Sequence, residues 1–487
     1  MDNLKIKLST KILDFVEGLP RFRKGTISRL QDIRERQKDW ASKEFTRRNA
    51  AKDSSVELSN ITLVLTFEHE GFNSLIQGFN NYFPKIESIQ EFTSDLKKSV
   101  DDLYAYSWQN LGFIAREQGI YLPGVTVDES LPQDVKSVSL SFHRILPSVA
   151  CIIFEFKLDA SVSKELSKIQ DKVYLGPVEF KRLWPINRIH HNYSMGSGNS
   201  YATKIINDRK NCTRAEIETW IKKGFKWNPQ KINAISYIDV YTIFGNPIKY
   251  EENQVWLKEN RTWLSTYGID AYEFDTLIGD DFLLSNTRSS TPQYMISNVI
   301  AKFDSSGKSD ADALLEYKVK AIAVSAMIFN VIKKYKNKVE TMRGNGFANL
   351  YKRNKLTKKN QYNIQEIKKV TVIISRFEQE ISHSKQWIMH SISDVGELKN
   401  LIREDTVDLG EYTLTNAEFQ LKQIKEAAVI IDSGLKNYLS VQSIYVMYKL
   451  QKWMFILSIV VTIATVIGVL SGWSNLKSLI FYWFNEW

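Results

Sequence analysis

The sequence predicts an α+β domain, followed by a long α-helical hairpin or stalk and one C-terminal transmembrane helix. Three observations carry this prediction. Apolar and polar residues alternate in several segments of 55–305, apolar residues recur at heptad spacing through much of 361–452, and residues 453–473 form an apolar stretch without charge. Such patterns are typical of strands, of packed long helices and of a membrane span.

Residues 1–52 predict a basic, amphipathic and helical N-terminus. Its apolar residues recur at roughly helical spacing until Pro20, and a strongly charged helical stretch begins at Thr26. The apolar positions are Leu4, Leu8, Ile12, Phe15 and Leu19. We interpret this segment as a solvated helix packed on the body, with a membrane-surface helix as the alternative.

Residues 55–305 predict the α+β region, which we interpret as a sensor domain. Apolar residues alternate with polar ones in 60–68, and the same alternation in 135–144 and 149–159 indicates a hairpin that turns at Pro147 and Ser148. The remaining predictions are helical material at 72–120, helices at 202–210 and 214–225, strands at 172–180 and 234–244, and a division into two subdomains near 190–200.

The last third predicts long helices. A helical region at 309–403 begins with Ser309 as N-cap and includes an apolar stretch at 321–332 typical of a core helix. It carries a basic segment at 333–369, of which 343–360 is expected to break the helix. A first heptad series then runs through Ile367, Val370, Ile374, Phe377, Ile381, Ser384, Ile388, Ser391, Val395, Leu398 and Ile402. A turn is expected at 405–412, before a stalk helix at 415–452. The stalk helix carries a second heptad series, which consists of Leu421, Ile424, Ala428, Ile431, Leu435, Tyr438, Gln442 and Tyr445.

The stretch 453–473 predicts a membrane span. Its length at 1.5 Å per residue is roughly 31 Å, close to the hydrocarbon thickness of a bilayer, and Trp453 and Trp473 stand at its ends. Lysines are more numerous before the stretch than after it, which predicts a single pass through the inner (cytoplasmic) membrane with the body in the cytoplasm. A buried core helix is the alternative for 453–473. We expect 474–487 to form an aromatic interfacial tail, with a partial re-entrant hairpin as the alternative.

The charge distribution indicates a partner for the basic blocks. The chain has a net charge of +10, with +7 in residues 1–52 and +10 in 333–369, so the rest carries −7. A membrane surface is the first candidate and nucleic acid the second. Two cysteines provide no disulfide framework, and the N-terminus lacks the apolar region of a signal peptide.

The arrangement of the last third, residues 361–473, resembles the CorA-type cation transporters. In that family a cytosolic α/β domain is followed by long helices, and a stalk helix becomes a C-terminal span. The family's Gly-Met-Asn signature is replaced here by GWSNLK at 472–477, and IFYWFNEW does not supply the family's second span. The resemblance implies a membrane protein of this architecture, and some bacterial relatives are membrane effectors in antiviral defence.

No group of residues in the sequence has the types and spacing that would indicate a particular enzymatic reaction, metal site or cofactor. No GxSxG, HExxH, Walker or dinucleotide signature occurs. Glu68, His69 and Glu70 offer an acid, a base and a possible metal ligand, but consecutive strand residues point to opposite faces, which favours a solvated trio. His383 and His390 share a helix face, and we interpret them as surface residues. The chain is therefore predicted not to be an enzyme.

A glycine-rich segment, residues 188–204, is the candidate ligand site. Its glycines permit close backbone approach, its serines and asparagine can donate to phosphate oxygens, and its basic residues supply charge. The candidate residues are Arg188, His190, His191, Gly196, Ser197, Gly198, Asn199 and Lys204. We expect a nucleotide or another anionic ligand, with a surface loop as the alternative.

Small residues in the span predict self-association. Ala464, Gly468 and Gly472 lie four residues apart, which lets helix backbones approach closely in lipid. The expected partners are therefore lipid and further copies of the chain, and nucleic acid is disfavoured because 333–369 has few aromatic residues. Three functions remain: an effector whose sensor controls an oligomeric membrane region that permeabilises the membrane, a CorA-like cation channel, and a membrane-tethered nucleic-acid-binding protein. We favour the first.

Overall fold

The computed structural model describes residues 6–8, 10–20, 26–48, 55–84, 86–99, 106–117, 125–170, 173, 175, 178–180, 193–195, 197–228, 232, 234–244, 256–257, 259–267, 269, 277–278, 282–287, 295–304, 310–350, 357–395, 397–400 and 406–485. The chain forms two compact units. Met1–Lys334 and Phe377–Gln420 form the first, here called the body. Tyr335–Arg376 and Leu421–Trp487 form the second, here called the helical unit.

Up to residue 304 the described elements are groups of strands interspersed with helices, and helices dominate afterwards. The strands are β1 (Ile6–Leu8), β2 (Ser55–Glu68), β3 (Ser107–Ala115), β4 (Val125–Val127), β5 (Val135–Leu146), β6 (Val149–Leu158), β7 (Val178–Phe180), β8 (Tyr193–Met195), β9 (Ala234–Phe244), β10 (Leu277–Ile278), β11 (Phe282–Thr287), β12 (Met295–Asp304), β13 (Glu397–Asn400) and β14 (Thr406–Asp408). The helices are α1 (Thr10–Glu17), α2 (Thr26–Arg48), α3 (Phe72–Tyr82), α4 (Glu87–Lys98), α5 (Ala160–Gln170), α6 (Gly198–Phe225), α7 (Arg261–Thr266), α8 (Asp310–Leu350), α9 (Thr357–His383), α10 (Lys385–Ile392) and α11 (Leu409–Asn485).

One large sheet organises the body, which is an α+β unit as the sequence predicts. Among the described strands its order is β14-β13-β10-β11-β12-β9-β2-β6-β5-β3-β4. The six strands from β12 to β3 in this order are long, with 9 to 14 residues each. The pairs β12–β9 and β3–β4 are parallel, and the other described pairs are antiparallel.

The central strands confirm the strongest sequence predictions. Strands β5 and β6 form an antiparallel hairpin that turns at Pro147 and Ser148. The strand predicted at 60–68 is present and begins earlier, at Ser55, and the strand predicted at 234–244 has those bounds. Each of these segments combines β-branched or aromatic residues with alternation, which suits a pleated surface.

One face of the sheet carries an aromatic core. Phe67 on β2 and Phe154 on β6 contact Trp227, whose ring centroid lies 5.5 Å and 6.0 Å from theirs. Phe79 from α3 and Phe225 from α6 pack on the same tryptophan. Edge-to-face pairs of this kind add to the stabilisation from buried apolar area. Helices α3 and α6 are thereby fixed to this face.

The opposite face is also buried, although its residues are partly polar. Thr62 and Thr66 of β2 are fully buried. Helix α8 covers this face, because Asn330 accepts a hydrogen bond from Ser236 Oγ at 2.8 Å and donates one to Thr66 Oγ1 at 3.4 Å. The apolar stretch 321–332 is thus the core helix that the sequence predicts, and the alternation in β2 separates two buried faces.

The N-terminal prediction is wrong in its register. Ile6–Leu8 is a strand and the helix begins at Thr10, while Phe15 is 70% exposed and Leu13 is fully buried. Helix α2 packs on the body through buried residues despite its many charges. Arg34 is buried and forms an ion pair with Asp14. This pairing lets a charged helix pack against its neighbour.

Three further predictions in the α+β region need correction. Residues 107–115 form strand β3 rather than part of a helical region. The two helices predicted at 202–210 and 214–225 are one helix, α6. Of the strand predicted at 172–180, Val178–Phe180 is a strand, while Val173 and Leu175, the other described residues of this range, are not. The body contains residues on both sides of 190–200, where a subdomain division was predicted.

The helical unit has its own apolar core. Helix α8 continues to Leu350, so the basic segment does not end it at 343. The buried apolar residues of the unit are Tyr335, Val339, Met342, Ile367, Val370, Ile374, Leu421, Ile424, Ala428, Ile431 and Leu435. Lys338 and Glu366 form an ion pair at 3.0 Å between α8 and α9. Both predicted heptad series therefore supply buried residues, and the second is buried as far as Leu435.

The first heptad series is not one continuous helix. Helix α9 ends at His383, α10 follows, and Leu398 lies on strand β13, although it is fully buried. The predicted turn at 405–412 contains β14, and the last helix begins at Leu409 rather than 415. The antiparallel hairpin and the stalk remain predictions. The heptad spacing of apolar residues therefore predicted correctly which residues are buried, but it did not distinguish a helix from a strand.

Candidate functional site

The predicted ligand segment lies mostly outside the described residues. Arg188, His190, His191 and Gly196 are not described. Ser197 is the N-cap of α6, and its side chain accepts a hydrogen bond from the Ser200 amide at 3.4 Å. Gly198 and Asn199 begin that helix, and Lys204 is exposed on it. This site stays a prediction.

The acid–base trio at residues 68–70 lies where β2 ends. Glu68 pairs with Lys334 at 2.9 Å, and the His69 ring lies 5.9 Å from that of Phe72. His383 is exposed and hydrogen-bonds to the Gln379 carbonyl at 2.7 Å. Within the described ranges, no group of three or more His, Cys, Asp or Glu side chains could hold a metal ion.

A pocket on the second face of the sheet brings together residues that the sequence analysis did not connect. Its cavity volume is about 360 Å³. Strands β3 and β5 and helices α8 and α10 surround it. The lining residues are Tyr106, Ser107, Trp108, His143, Arg144, Ile145, Tyr317, Lys320, Ala321, Trp387, His390 and Ser391.

Exposed aromatic rings form much of the pocket wall. Trp108 is 57% exposed, Tyr317 is 51% exposed and Trp387 is 52% exposed. Trp387 stacks on Tyr106 with ring centroids 5.2 Å apart and planes inclined by 14°. The Tyr106 hydroxyl is fixed by a 3.0 Å hydrogen bond with Ser384 Oγ. Clustered exposed aromatic residues of this size are typical of binding surfaces.

A buried cation lies between two of these rings. The Lys320 ammonium is 6.0 Å from the ring centroid of Trp108 and 5.8 Å from that of Tyr317. Glu316, one turn earlier on α8, forms an ion pair with it. The helical spacing of four residues places this carboxylate beside the amine. The aromatic faces and the carboxylate together compensate for the burial of the charge.

Two buried titratable side chains, His143 in the pocket lining and Glu155 on the neighbouring strand β6, have shifted pKa values. Burial lowers the pKa of His143 to about 3, and the charge of Lys320 adds to this effect. Burial and the nearby charge of Glu316 together raise the pKa of Glu155 to about 8, although Lys320 opposes this shift. Both groups are therefore mainly neutral at pH 7. His143 Nε2 and Glu155 Oε1 are buried without a hydrogen-bond partner.

The pocket residues come from distant parts of the chain, which explains why they were missed. Trp108 lies in a segment predicted to be helical, and Lys320 precedes a stretch predicted to be core. Sheet pairing sets Trp108 opposite His143, and the helix covering the sheet adds Lys320. No local motif could have revealed this juxtaposition. Chemically, the pocket offers stacking surfaces, a lysine paired with Glu316, an arginine (Arg144) hydrogen-bonded to backbone carbonyls, and one unpaired imidazole nitrogen.

A second polar cluster lies within the aromatic-core side of the body. Asp239 on β9 accepts hydrogen bonds from Lys210 at 3.0 Å and Arg214 at 2.6 Å, both from α6. Burial raises the pKa of Asp239, but the two cations outweigh this effect and lower it to about 2. Lys210 also donates to Tyr241 Oη at 3.1 Å and to the Tyr267 carbonyl. This hydrogen bonding indicates a structural role.

The C-terminal helix contains the candidate membrane span. In the part of the chain that the structure describes, this is the one helix long and apolar enough to cross a membrane, and its apolar stretch is not buried inside the protein. Ala464, Gly468 and Gly472 lie exposed on it. A Cβ atom added at Gly468 or Gly472 would meet no other atom within 4 Å. This helix is consistent with single-pass membrane anchoring.

Comparison of the chain with models of protein families, with curated proteins and with solved structures found no match. The resemblance of the last third to CorA-type transporters therefore remains a prediction.

Proposed function

We propose that this protein is a membrane-anchored effector, in which a ligand-sensing body controls an oligomer of C-terminal spanning helices that permeabilises the membrane. The body would lie in the cytoplasm, in keeping with the lysines that precede the span. One observation carries the proposal: helix α11 begins inside the body and contains the candidate span.

The start of α11 supports a mechanical connection to the body. Thr413, Leu414 and Ala417 are buried within the body, and the Thr413 hydroxyl lies 2.9 Å from that of Ser325 on α8. A helix packed at one end moves with the element that holds it. A shift of α8 would therefore reach α11 through these contacts.

The exposed surface of α11 supports an oligomer. Burial ends at Leu435. Tyr438 and Leu439 are half-buried, and the described side chains from Ser440 to Phe481 are exposed. Residues 441–481 at 1.5 Å per residue extend roughly 60 Å, about twice the hydrocarbon thickness of a bilayer. Val441, Ile444 and Tyr448 are exposed before the span. Lipid cannot cover all of this surface, and further copies of the same helix would cover the rest.

A truncation tests the proposal. Deleting residues 451–487 should abolish both growth arrest and depolarisation in cells that overexpress the protein, because the span is the proposed effector element. Depolarisation is measured with a voltage-sensitive dye at matched protein levels. A chain lacking only 482–487 is the control, because it keeps the span. If the chain lacking 451–487 is as toxic as the full chain, the toxic activity lies in the body, and the span serves only to locate the protein at the membrane.

A further inference from the structure

We propose that the pocket beside His143 binds a planar nitrogen heterocycle of the nucleobase class, recognised by its ring rather than by a phosphate. The proposal that the heterocycle binds is argued from the geometry of the pocket alone. The further proposal that this ligand is the signal acting on the membrane helix rests on the proposed function. This site is distinct from the segment 188–204.

The size and walls of the pocket suit a flat ring. A volume of about 360 Å³ is at the lower end of the range for small-molecule sites and suits a single base or nucleoside. Trp108, Tyr317 and Trp387 offer ring faces from three different elements, β3, α8 and α10. Stacking on aromatic side chains is the general way in which proteins hold bases, because every base has a π face.

His143 supplies the polar contact that the heterocycle would satisfy. The residue is 6% exposed and lines the pocket, and its Nε2 atom has no hydrogen-bond partner. A buried polar atom without a partner is unfavourable, so a ligand that pairs with it gains affinity. Because burial lowers the pKa of this imidazole, the ring is neutral and one nitrogen can donate while the other accepts. The ring edges of bases offer both kinds of partner.

Trp108 controls access to that nitrogen. It is paired with His143 across β3 and β5, and the two ring centroids are 6.2 Å apart with planes inclined by 67°. Since the Trp108 side chain is more than half exposed, its ring can rotate without disturbing the core. Such a rotation would open the imidazole edge and place the indole beside the ligand.

The charges favour the ring over a phosphate. Lys320 is already neutralised by Glu316, and the Arg144 guanidinium already donates to the backbone carbonyls of Ser99 and Pro147. His390, also in the lining, is an exposed side chain. The pocket therefore lacks the cluster of free cations that phosphate groups require. A nucleoside and its 5′-monophosphate should bind with similar affinities.

Titrations with defined probes test the site. The purified full-length protein in detergent is titrated with adenosine, guanosine, cytidine and uridine, with their 5′-monophosphates, and with ribose 5-phosphate as a probe that lacks a base. Binding is followed by saturation-transfer NMR of the base protons and by calorimetry. At least one nucleoside should bind, its monophosphate should bind within about threefold, and ribose 5-phosphate should not bind.

Substitutions then locate the binding. Trp108→Ala and Trp387→Ala should each weaken it about tenfold, because each removes a stacking face. His143→Asn, which keeps a hydrogen-bonding group, should weaken it less than His143→Phe. Trp40→Ala on α2, outside the pocket lining, is the matched control and should have no effect.

Three results would overturn the proposal: no nucleoside binds, ribose 5-phosphate binds as well as the monophosphates, or both tryptophan variants bind like the unmodified chain. Because binding is measured without a membrane potential, its failure is separate from failure of the proposed function. A nucleoside that binds here but does not alter depolarisation would leave the site standing and remove its role as the signal.

Discussion

At the scale of single residues, Asp239 faces two cations in the interior of the body. Replacing it with alanine would leave Lys210 and Arg214 buried without their carboxylate, and removal of one member of a buried charge group is strongly destabilising. We expect Asp239→Ala to lower the free energy of unfolding by about 3–5 kcal/mol. Urea unfolding followed by tryptophan fluorescence measures this loss.

The control for Asp239 is an exposed ion pair. Asp95 and Lys98 on α4 are 3.1 Å apart, and both side chains are 75% exposed. Asp95→Ala should change the free energy of unfolding by less than about 1 kcal/mol, because solvent screens such pairs. Equal losses in the two variants would contradict the structural role of the buried cluster.

Glu155 predicts a pH dependence of stability. Its carboxyl titrates at about 8 in the folded protein, against an ordinary value of 4.5, because it is buried. Between these values the folded state binds more protons than the unfolded state, so stability falls as the pH rises through this window. The slope from this group is at most about 1.4 kcal/mol per pH unit.

The variant Glu155→Gln isolates this effect, because glutamine does not titrate. Its unfolding free energy relative to the unmodified protein should increase as the pH rises from 5 to 8. Paired urea titrations at several pH values measure the difference. A difference that is constant with pH would show that Glu155 does not titrate in this window.

At the scale of elements, helix α3 is fitted to the aromatic core at Gly78. A Cβ atom at this position would lie 1.6 Å from Trp227 Nε1, which donates to the Leu75 carbonyl at 3.2 Å. The surrounding rings of Phe67 and Phe225 leave that indole no room to move. Gly78→Ala should therefore destabilise the protein by about 1–3 kcal/mol or more, despite the better helix propensity of alanine.

A second helical glycine provides the matched control for Gly78. Gly344 on α8 is exposed, and a Cβ atom there would meet nothing within 4 Å. Gly344→Ala should raise the free energy of unfolding by about 0.4–1 kcal/mol, because alanine restricts the unfolded chain. Thermal midpoints of the two variants should move in opposite directions. Shifts of the same sign would contradict the packing described for α3.

The elements also show what the sequence could predict. Strands β2, β5, β6 and β9 were predicted correctly. Successive side chains of a strand point to opposite faces of the sheet, so the residue type changes with a period of two that the sequence shows. Residues 107–115 were assigned to a helical region, although sheet pairing with β5 makes them a strand. Leu398 continues a heptad ladder yet lies on β13, so its burial was predictable and its element was not.

At the scale of the whole molecule, the predicted self-association depends on small residues in the span. Gly468→Ile with Gly472→Ile would separate helix backbones that approach closely, and should lower a membrane reporter of self-association to less than about half. Val466→Ile with Leu470→Ile is the control, since it changes another side of the helix. An unchanged signal in the glycine variant would exclude this seam as the contact.

The candidate binding pocket could not be predicted from the sequence, because it exists only in the folded molecule. Trp108, Lys320 and Trp387 are separated by more than two hundred and seventy residues at their extremes, and they meet because β3, α8 and α10 pack in one body. The candidate membrane span, in contrast, is a local property of residues 453–473 and can be predicted from their hydropathy alone. The hydropathy of a segment is the same before and after folding, whereas a pocket forms only when distant segments pack together.

The central claim is that the body acts on the membrane through a continuous α11. Seven alanines inserted between Ser440 and Val441 add about two helical turns and keep the helix, whereas seven glycines disfavour it by about 1 kcal/mol per residue. Both chains should remain in the membrane fraction. With a voltage-sensitive dye, the alanine chain should depolarise cells like the unmodified protein, and the glycine chain should not. Equal depolarisation by the two chains would contradict the account.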